Sequence, residues 1–228
     1  MAQPGWLGVA GALAIVGRLY WQETGLSDYF YEPRKGHGLP HDPFKAIIAP
    51  RPIGWISSID AQGRVNLAPY SFFNGFASNP PVIGFSNEGR KDSLRNVEAN
   101  GEFVANLVSG DLAKEMNITA APVAHGVDEM QLAGLAAAAS TLVRPPRVAR
   151  AVAALECKVS QIIQLKSAAG SLMETWLVLG EVVGVHIDDR FLVDGIFDTV
   201  AAHPIARMGY RGDYTEVVGK FEMIRPTA

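Results

Sequence analysis

The sequence contains a single cysteine, Cys157, among its 228 residues. One cysteine excludes an intrachain disulfide and any metal site built from several thiolates, and it fits a reducing compartment. Charged residues are also moderate in number, at 19%, with a formal net charge of −3. A nucleic-acid-binding domain is expected to carry a basic face, so this composition predicts no nucleic-acid partner.

Several short motifs that carry chemistry are missing. The sequence has no G-x-G-x-x-G fingerprint of a Rossmann dinucleotide site, no P-loop, no H-E-x-x-H and no C-x-x-C. G-x-S-x-G and S-x-x-K are also missing, which removes the sequence evidence for the familiar serine hydrolases. The five histidines are scattered along the chain and show no metal-ligand spacing. We therefore predict no metal site and assign no catalytic side chain.

Long hydrophobic runs are absent as well. The apolar and glycine-rich run at residues 6–17 is shorter than the roughly 20 residues that span a bilayer. No Lys or Arg precedes it, so the positive region of a secretory signal is missing. Three interpretations stay open: a poorly ordered extension, a helix packed on the domain or a neighbouring chain, or residues from a start codon placed too early. We expect residues 1–28 to be a peripheral extension, residues 29–228 to form the functional domain, and the protein to be cytoplasmic and not membrane-bound.

Short runs of β-forming residues separated by turn residues dominate the remainder. They predict strands at residues 46–49, 53–59, 65–68, 72–77, 82–86, 103–108, 155–165 and 174–187. The last run is apolar at both alternating sets of positions, which predicts a strand covered on both faces. Many short strands with few helices favour an antiparallel barrel over a doubly wound sheet.

Helices are predicted at only a few places. Asp92 is a good N-cap for a helix that Gly101 would end. Ser109 or Asp111 would cap a second short helix, and residues 120–150 are predicted to be a loop with one helical turn.

The first candidate binding motif is the segment 88–93, where a predicted strand ends and a predicted helix begins. The start of a helix offers unpaired N–H groups and the positive end of its dipole. Arg90 and Lys91 add charge, and Ser93 adds a hydroxyl donor. This combination suits a phosphomonoester, although a solvated basic turn with an ordinary Asp cap would look the same.

Three further segments are weaker candidates when taken singly. Residues 66–74 combine aromatics, a proline and small polar residues, which suits either a planar ring or a hairpin with phenylalanines in the core. Arg51 lies between two prolines and could present its guanidinium to a partner, or belong to a proline-broken edge strand. Residues 203–210 could form the edge of a ligand site or be scattered surface polar groups.

Taken together, these segments resemble the flavin reductase-like, FMN-binding split-barrel family, which includes reductase components of two-component monooxygenases. The resemblance rests on APRPIGWISS, NLAPYSFFN, SNPPVIGFS, GRKDSLRN, FVAN and HPIARMGY, in this order, within residues 29–218. Residues 1–28 have no counterpart in the family pattern. The resemblance implies a mainly β, Greek-key split β-barrel with a few short helices, usually a homodimer, with FMN near the subunit interface.

The resemblance also implies which residues bind the cofactor. Those beside the flavin, around its ring and along its ribityl chain would be Ser57, Ser58, Ala68, Pro69, Tyr70, Ser71, Phe72 and Asn74. The phosphate would be held by Arg90, Lys91, Asp92 and Ser93, with Asn106 supporting the pocket. The side of the ring where a nicotinamide approaches would be bordered by His203, Arg207 and Tyr210.

The implied activity is that of an NAD(P)H-dependent flavin reductase. FMN would be the cofactor, NAD(P)H the co-substrate, and a flavin-dependent monooxygenase a partner that receives reduced flavin. In such chemistry the cofactor carries the reaction, which accounts for the missing nucleophile and acid–base motifs. Two alternatives stay open: an electron-transfer flavoprotein that keeps FMN tightly bound, and a non-enzymatic flavin-binding module. Preference for NADH or NADPH is not visible in the sequence.

Overall fold

The computed structural model describes residues 27–226. Contacts divide the chain into two units, residues 1–42 and 43–228. In the described part of the first unit a single 3₁₀ turn, Pro33–Lys35, is formed, and the Tyr29 hydroxyl donates to the His37 carbonyl at 2.9 Å. The predicted apolar extension, residues 1–28, lies almost wholly outside the described residues. Its role and the predicted domain limits stay predictions.

The second unit is built mainly from β-strands. The strands are β1 Arg51–Pro52, β2 Gly54–Ile59, β3 Val65–Tyr70, β4 Phe73–Ser78, β5 Pro81–Glu88, β6 Glu102–Asn106, β7 Ala137–Ala138, β8 Arg147–Val148, β9 Ala153–Lys166, β10 Leu172–Ile187, β11 Leu192–Val193, β12 Ile196–Phe197, β13 Ile205–Arg207 and β14 Tyr214–Glu216. The helices are α1 Phe44–Ile47, α2 Asp92–Asn100, α3 Ala113–Ile118 and α4 Glu129–Leu132, with 3₁₀ turns at Gly110–Leu112 and Asp189–Phe191. No helix among the described residues is long and apolar enough to span a bilayer.

Seven strands form one antiparallel sheet in the order β3-β2-β6-β9-β10-β5-β4. The strands β3 and β4, which are consecutive in sequence, therefore lie at opposite edges of the sheet. Only two residues separate Tyr70 from Phe73, and an extended chain covers at most about 3.6 Å per residue. The two edges must therefore lie close together, so the sheet curls into an incompletely closed barrel. This confirms the mainly β fold class.

The interior of this barrel is aromatic. The rings of Phe85 and Phe103 meet edge to face with centroids 5.4 Å apart, and Tyr70 lies 4.7 Å from Phe85. Gly180 on β10 faces this cluster, and a Cβ at that position would lie 2.5 Å from the Phe103 ring. Close packing here requires glycine, because a methyl group would force a large ring to move.

A buried carboxylate fixes the loop that follows β7. Glu156 is fully buried and accepts hydrogen bonds from the backbone N–H groups of Thr141 at 2.7 Å and Leu142 at 2.6 Å, and from His186. Burial alone would raise the pKa of Glu156, but these hydrogen bonds outweigh it and hold the pKa below its ordinary value. The carboxylate therefore belongs to the framework.

Three local predictions were wrong. Residues 46–49 do not form a strand, because Pro43 starts the short helix α1 and accepts the N–H of Ile47 at 3.0 Å. Lys91, not Asp92, is the N-cap of α2, and the Asp92 side chain contacts His125, Gly126 and Arg95. The strand β10 is covered on both faces only in part, because its second half leaves Val185 59% exposed.

Candidate functional site

A cavity of about 450 Å³ opens where β3 meets the start of α2. Its lining comes from Asn66, Ala68, Pro69 and Tyr70 on β3, from Lys91, Asp92, Ser93 and Arg95 at the start of α2, and from Thr119, Ala120, Ala121, Pro122, Val123, His125 and Glu129. The two sequence segments predicted to hold the tail and the flat ring of one ligand therefore share one cavity. Its volume lies in the range of roughly 300–1,000 Å³ typical of ligand sites.

The end of this cavity at α2 is suited to an anion. The first-turn N–H groups of a helix have no intrahelical partner. In α2 no side chain caps them either. Lys91 stands at the N-cap, and among the described residues its ammonium group forms no ion pair. Arg95, one turn further on, also lines the cavity and makes only a 3.4 Å contact to Asp92. The N–H groups, the helix dipole and two cations all favour a negatively charged group here.

The β3 wall is fixed by hydrogen bonds from behind. The Asn66 amide donates to the Ser93 hydroxyl at 2.8 Å, which ties β3 to the first turn of α2. The Tyr70 hydroxyl donates to the side-chain oxygen of Asn87 at 2.7 Å. Burial raises the pKa of Tyr70 to about 12, so the phenol stays neutral at physiological pH. These bonds hold the wall and the anion-binding end in one arrangement.

Two acidic side chains, Asp92 and Glu129, also line the cavity. Asp92 lies 2.7 Å from the His125 ring nitrogen, and its other oxygen accepts the Gly126 N–H at 3.2 Å. Glu129 accepts the Leu67 N–H at 3.0 Å and is nearly buried. Burial raises the pKa of Glu129 despite the hydrogen bond from Leu67. Asp92 thus contacts His125 and Gly126, and its predicted role in holding phosphate stays a prediction.

Two predicted serines lie behind this cavity and do not line it. Ser57 is fully buried and donates to the Pro146 carbonyl at 2.5 Å. Ser58, also fully buried, accepts from the Asn96 amide at 3.1 Å and from Asn66 at 3.4 Å. Ser58 supports the Asn66–Ser93 link from behind, so its connection to the cavity is indirect.

Arg90 is likewise not part of the cavity wall. Its guanidinium pairs with Glu98 and lies 5.6 Å from the centroid of the Trp176 ring. The backbone turns between Arg90 and Lys91, so consecutive cations serve different purposes. Arg90 lies over the buried Trp176, and Lys91 lines the cavity.

The remaining predicted residues are distributed over other surfaces. Ser71, Phe72 and Asn74 line a second cavity of about 360 Å³. Asn106 is buried and is satisfied by the Trp55 carbonyl at 3.0 Å and the Val148 N–H at 2.8 Å.

The C-terminal group is also apart from the first cavity. His203 pairs with Glu216 at 3.1 Å in a separate cavity of about 700 Å³. Arg207 donates to the carbonyls of Tyr210 at 3.0 Å and Asp213 at 2.7 Å. The structure thus does not bring His203, Arg207 and Tyr210 to the first cavity, and their contact with a ligand stays a prediction.

Several residues of the first cavity were not predicted from the sequence. Arg95, His125 and Glu129 were not proposed, and neither was the loop at 119–123. Arg95 follows Asp92 by one helical turn, which could have placed it on the same side. His125 and Glu129 carry no local signal, because they meet β3 only through tertiary contacts. Across the described residues, no group of three or more His, Cys, Asp or Glu side chains is placed to hold a metal ion.

The described chain thus forms a half-open antiparallel barrel with an uncapped helix start beside one edge. Residues 48–197 match the family described as flavin reductase like domain, and the chain belongs to this family. An uncharacterized protein from Deinococcus radiodurans is 39% identical over 194 residues, covering 80% of this chain and 82% of the relative. The family membership supports a flavin-related oxidoreductase function.

Solved structures agree with the fold. Nitrilotriacetate monooxygenase component B from Bacillus cereus superposes with a TM-score of 0.79 at 29% identity, covering 87% of this chain and all of the other. A protein with a split barrel domain from Shewanella frigidimarina gives a TM-score of 0.70 at 22% identity, covering 81% of this chain and 90% of the other. The second similarity supports the fold alone. Together these findings confirm the predicted family and its split barrel.

Proposed function

We propose that the chain binds FMN in the first cavity and works as an NAD(P)H:flavin oxidoreductase. The observation that carries this proposal is the single cavity that joins the uncapped start of α2 to the β3 wall. Membership of the flavin reductase-like family supports a flavin as the ligand.

The phosphate of FMN would occupy the end of the cavity at α2. A phosphomonoester carries nearly two negative charges and several acceptor oxygens, so it needs several donors at once. The first-turn N–H groups of α2, the Lys91 ammonium and the Arg95 guanidinium supply them within one helical turn. The Ser93 hydroxyl, which accepts from the Asn66 amide, also lines this part of the cavity. Riboflavin lacks the phosphate, so the groups at the α2 end of the cavity would add nothing to its binding affinity.

The flat ring system would lie along Ala68, Pro69 and Tyr70. Small and rigid side chains at the first two positions allow a planar ring to approach the strand backbone closely. The buried Tyr70–Asn87 hydrogen bond keeps that stretch of strand from shifting. When bound, FMN supplies hydride acceptance from a reduced nicotinamide, and the residues of the chain bind, orient and shield it from water.

We further propose that the reduced flavin serves a flavin-dependent monooxygenase. The support is the similarity to a protein from Bacillus cereus that is component B of nitrilotriacetate monooxygenase. A homodimer with FMN near the subunit interface stays part of this proposal, as the family resemblance implies.

The absorbance spectrum of the purified protein and a titration with FMN test the binding step. We expect FMN to bind with a shifted flavin spectrum, and we expect NADH or NADPH to bleach the flavin in anaerobic stopped flow. Rapid exchange of bound for free FMN supports the reductase, whereas retention through gel filtration supports an electron carrier. A protein that neither takes up FMN nor oxidises NAD(P)H in the presence of flavin would contradict the proposal.

A further inference from the structure

The second cavity, of about 360 Å³, lies on the segment that links the two edges of the sheet. Its walls are mostly apolar and include the aromatic side chains of Phe72, Phe73 and Phe76. Among the described residues that line it, Arg51 is the only one with an ionisable side chain. Apolar and aromatic walls with one charged residue that fixes orientation are typical of small-molecule sites, and the single cation here would select an anionic group.

The Arg51 side chain is fixed in place before any ligand arrives. It is only 6% exposed, donates through Nη2 to the Met208 carbonyl at 2.9 Å, and donates through Nη1 to the Lys45 carbonyl. Its Nε is buried and has no hydrogen-bond partner among the described residues. A guanidinium has five N–H donors, so Arg51 keeps donors to spare after binding both carbonyls.

Positive charge near this cavity is not compensated by the chain. Arg207 on β13 lies directly opposite Arg51 on β1, and Lys45 lies 6.0 Å from the centroid of the Phe72 ring. Within residues 43–226, no carboxylate forms an ion pair with any member of this cation cluster (Lys45, Arg51 and Arg207). Burial, and then the charge of Arg207, lowers the pKa of Arg51. Like charges opposite one another on paired strands are destabilising, and an anion would relieve them.

We propose that the second cavity binds a small aromatic carboxylate. The carboxylate accepts hydrogen bonds from Arg51, and the ring packs against Phe72 and Phe76. The Ser71 and Ser86 hydroxyl groups, which also belong to the lining, offer further donors. This binding goes beyond the proposed flavin reduction and does not depend on it.

Calorimetric titration of the full-length protein with benzoate tests the proposal, both without FMN and with FMN at saturation. We expect benzoate to bind in both cases and the neutral isostere benzamide to bind at least about tenfold more weakly. Arg51→Met should weaken benzoate binding by about ten- to hundredfold, since charge-assisted hydrogen bonds are lost. Arg190→Met, at an arginine that is 81% exposed and paired with Asp188, should leave benzoate binding unchanged.

A second variant covers the case in which Arg51→Met does not fold. Phe76 is 55% exposed, so Phe76→Ala should fold, and it should weaken benzoate binding several-fold by removing one wall of the cavity. The proposal is overturned if benzoate does not bind, if benzamide binds equally well, or if the folded variants bind like the wild type. Displacement of benzoate by FMN would also overturn it, because the cavity would then belong to the flavin site. A protein that failed to bind FMN would leave the benzoate result fully interpretable.

Discussion

Replacing Lys91 with Gln should weaken FMN binding without affecting riboflavin binding. Lys91 forms no ion pair among the described residues, so its charge is available to a ligand in the first cavity. Exposed ion pairs contribute about 0.2–1 kcal/mol, and charged hydrogen bonds in drier sites about 1.5–3 kcal/mol. Lys91 is exposed but stands at the positive end of a helix, so we expect about 1–2 kcal/mol. That corresponds to a rise of about five- to thirtyfold in the Kd for FMN.

Fluorescence titration of the Lys91→Gln protein with FMN and with riboflavin gives the two constants. Arg90→Gln is the matched control, because the neighbouring cation is already paired with Glu98 and stacked on Trp176. We expect less than about a twofold change in that variant, and we expect the Lys91 effect to shrink at high salt. Equal loss of FMN and riboflavin affinity in Lys91→Gln, or a larger loss in Arg90→Gln, would refute the placement of the phosphate at α2.

Three further predictions concern the framework. Glu156→Gln should lower the free energy of unfolding by about 3–5 kcal/mol in urea denaturation at pH 7. The pKa of Glu156 in the folded protein lies below the ordinary glutamate pKa of 4.5. The stability advantage of the wild type should therefore be present above pH 4.5 and be lost as the pH falls through the folded-state pKa. An advantage that grows in acid would contradict this. Gly180→Ala should lower the free energy of unfolding in urea by about 1–3 kcal/mol, since its methyl group would lie 2.5 Å from the Phe103 ring. A variant as stable as the wild type would argue against this tight packing. Cys157 is fully buried and burial raises its pKa, so it should react with thiol reagents only after unfolding; fast modification of the native protein would count against its position.

Turn residues and long runs of β-forming residues gave correct local predictions at several places. The turn at Gly63, with a φ of 81°, joins β2 to β3 as predicted, because glycine adopts that conformation without strain. Gly101 ends α2 as predicted, with a φ of 69° in the left-handed region. The longest strands, β9 and β10, were also placed correctly, since long runs of β-forming residues leave few alternatives.

The orientation of individual side chains was not readable in the same way. Arg90 and Lys91 are adjacent in sequence and similar in charge, yet only Lys91 faces the first cavity. Which of them does so depends on Glu98 and Trp176, and the tryptophan belongs to a strand far along the chain. Single-sequence patterns carry no information on such contacts.

The sequence by itself determined most strands, the helix that ends at Gly101 and the family resemblance, because these depend on residues close together in the chain. Only the tertiary structure decided that β3 and the start of α2 share a cavity, and that Ser71 and Phe72 open on a different one. It also brought Glu129 against Leu67, some 60 positions earlier. The physical reason is the curl of the sheet: its two edges meet through a two-residue link, so neighbours in space are set by strand order and not by sequence distance.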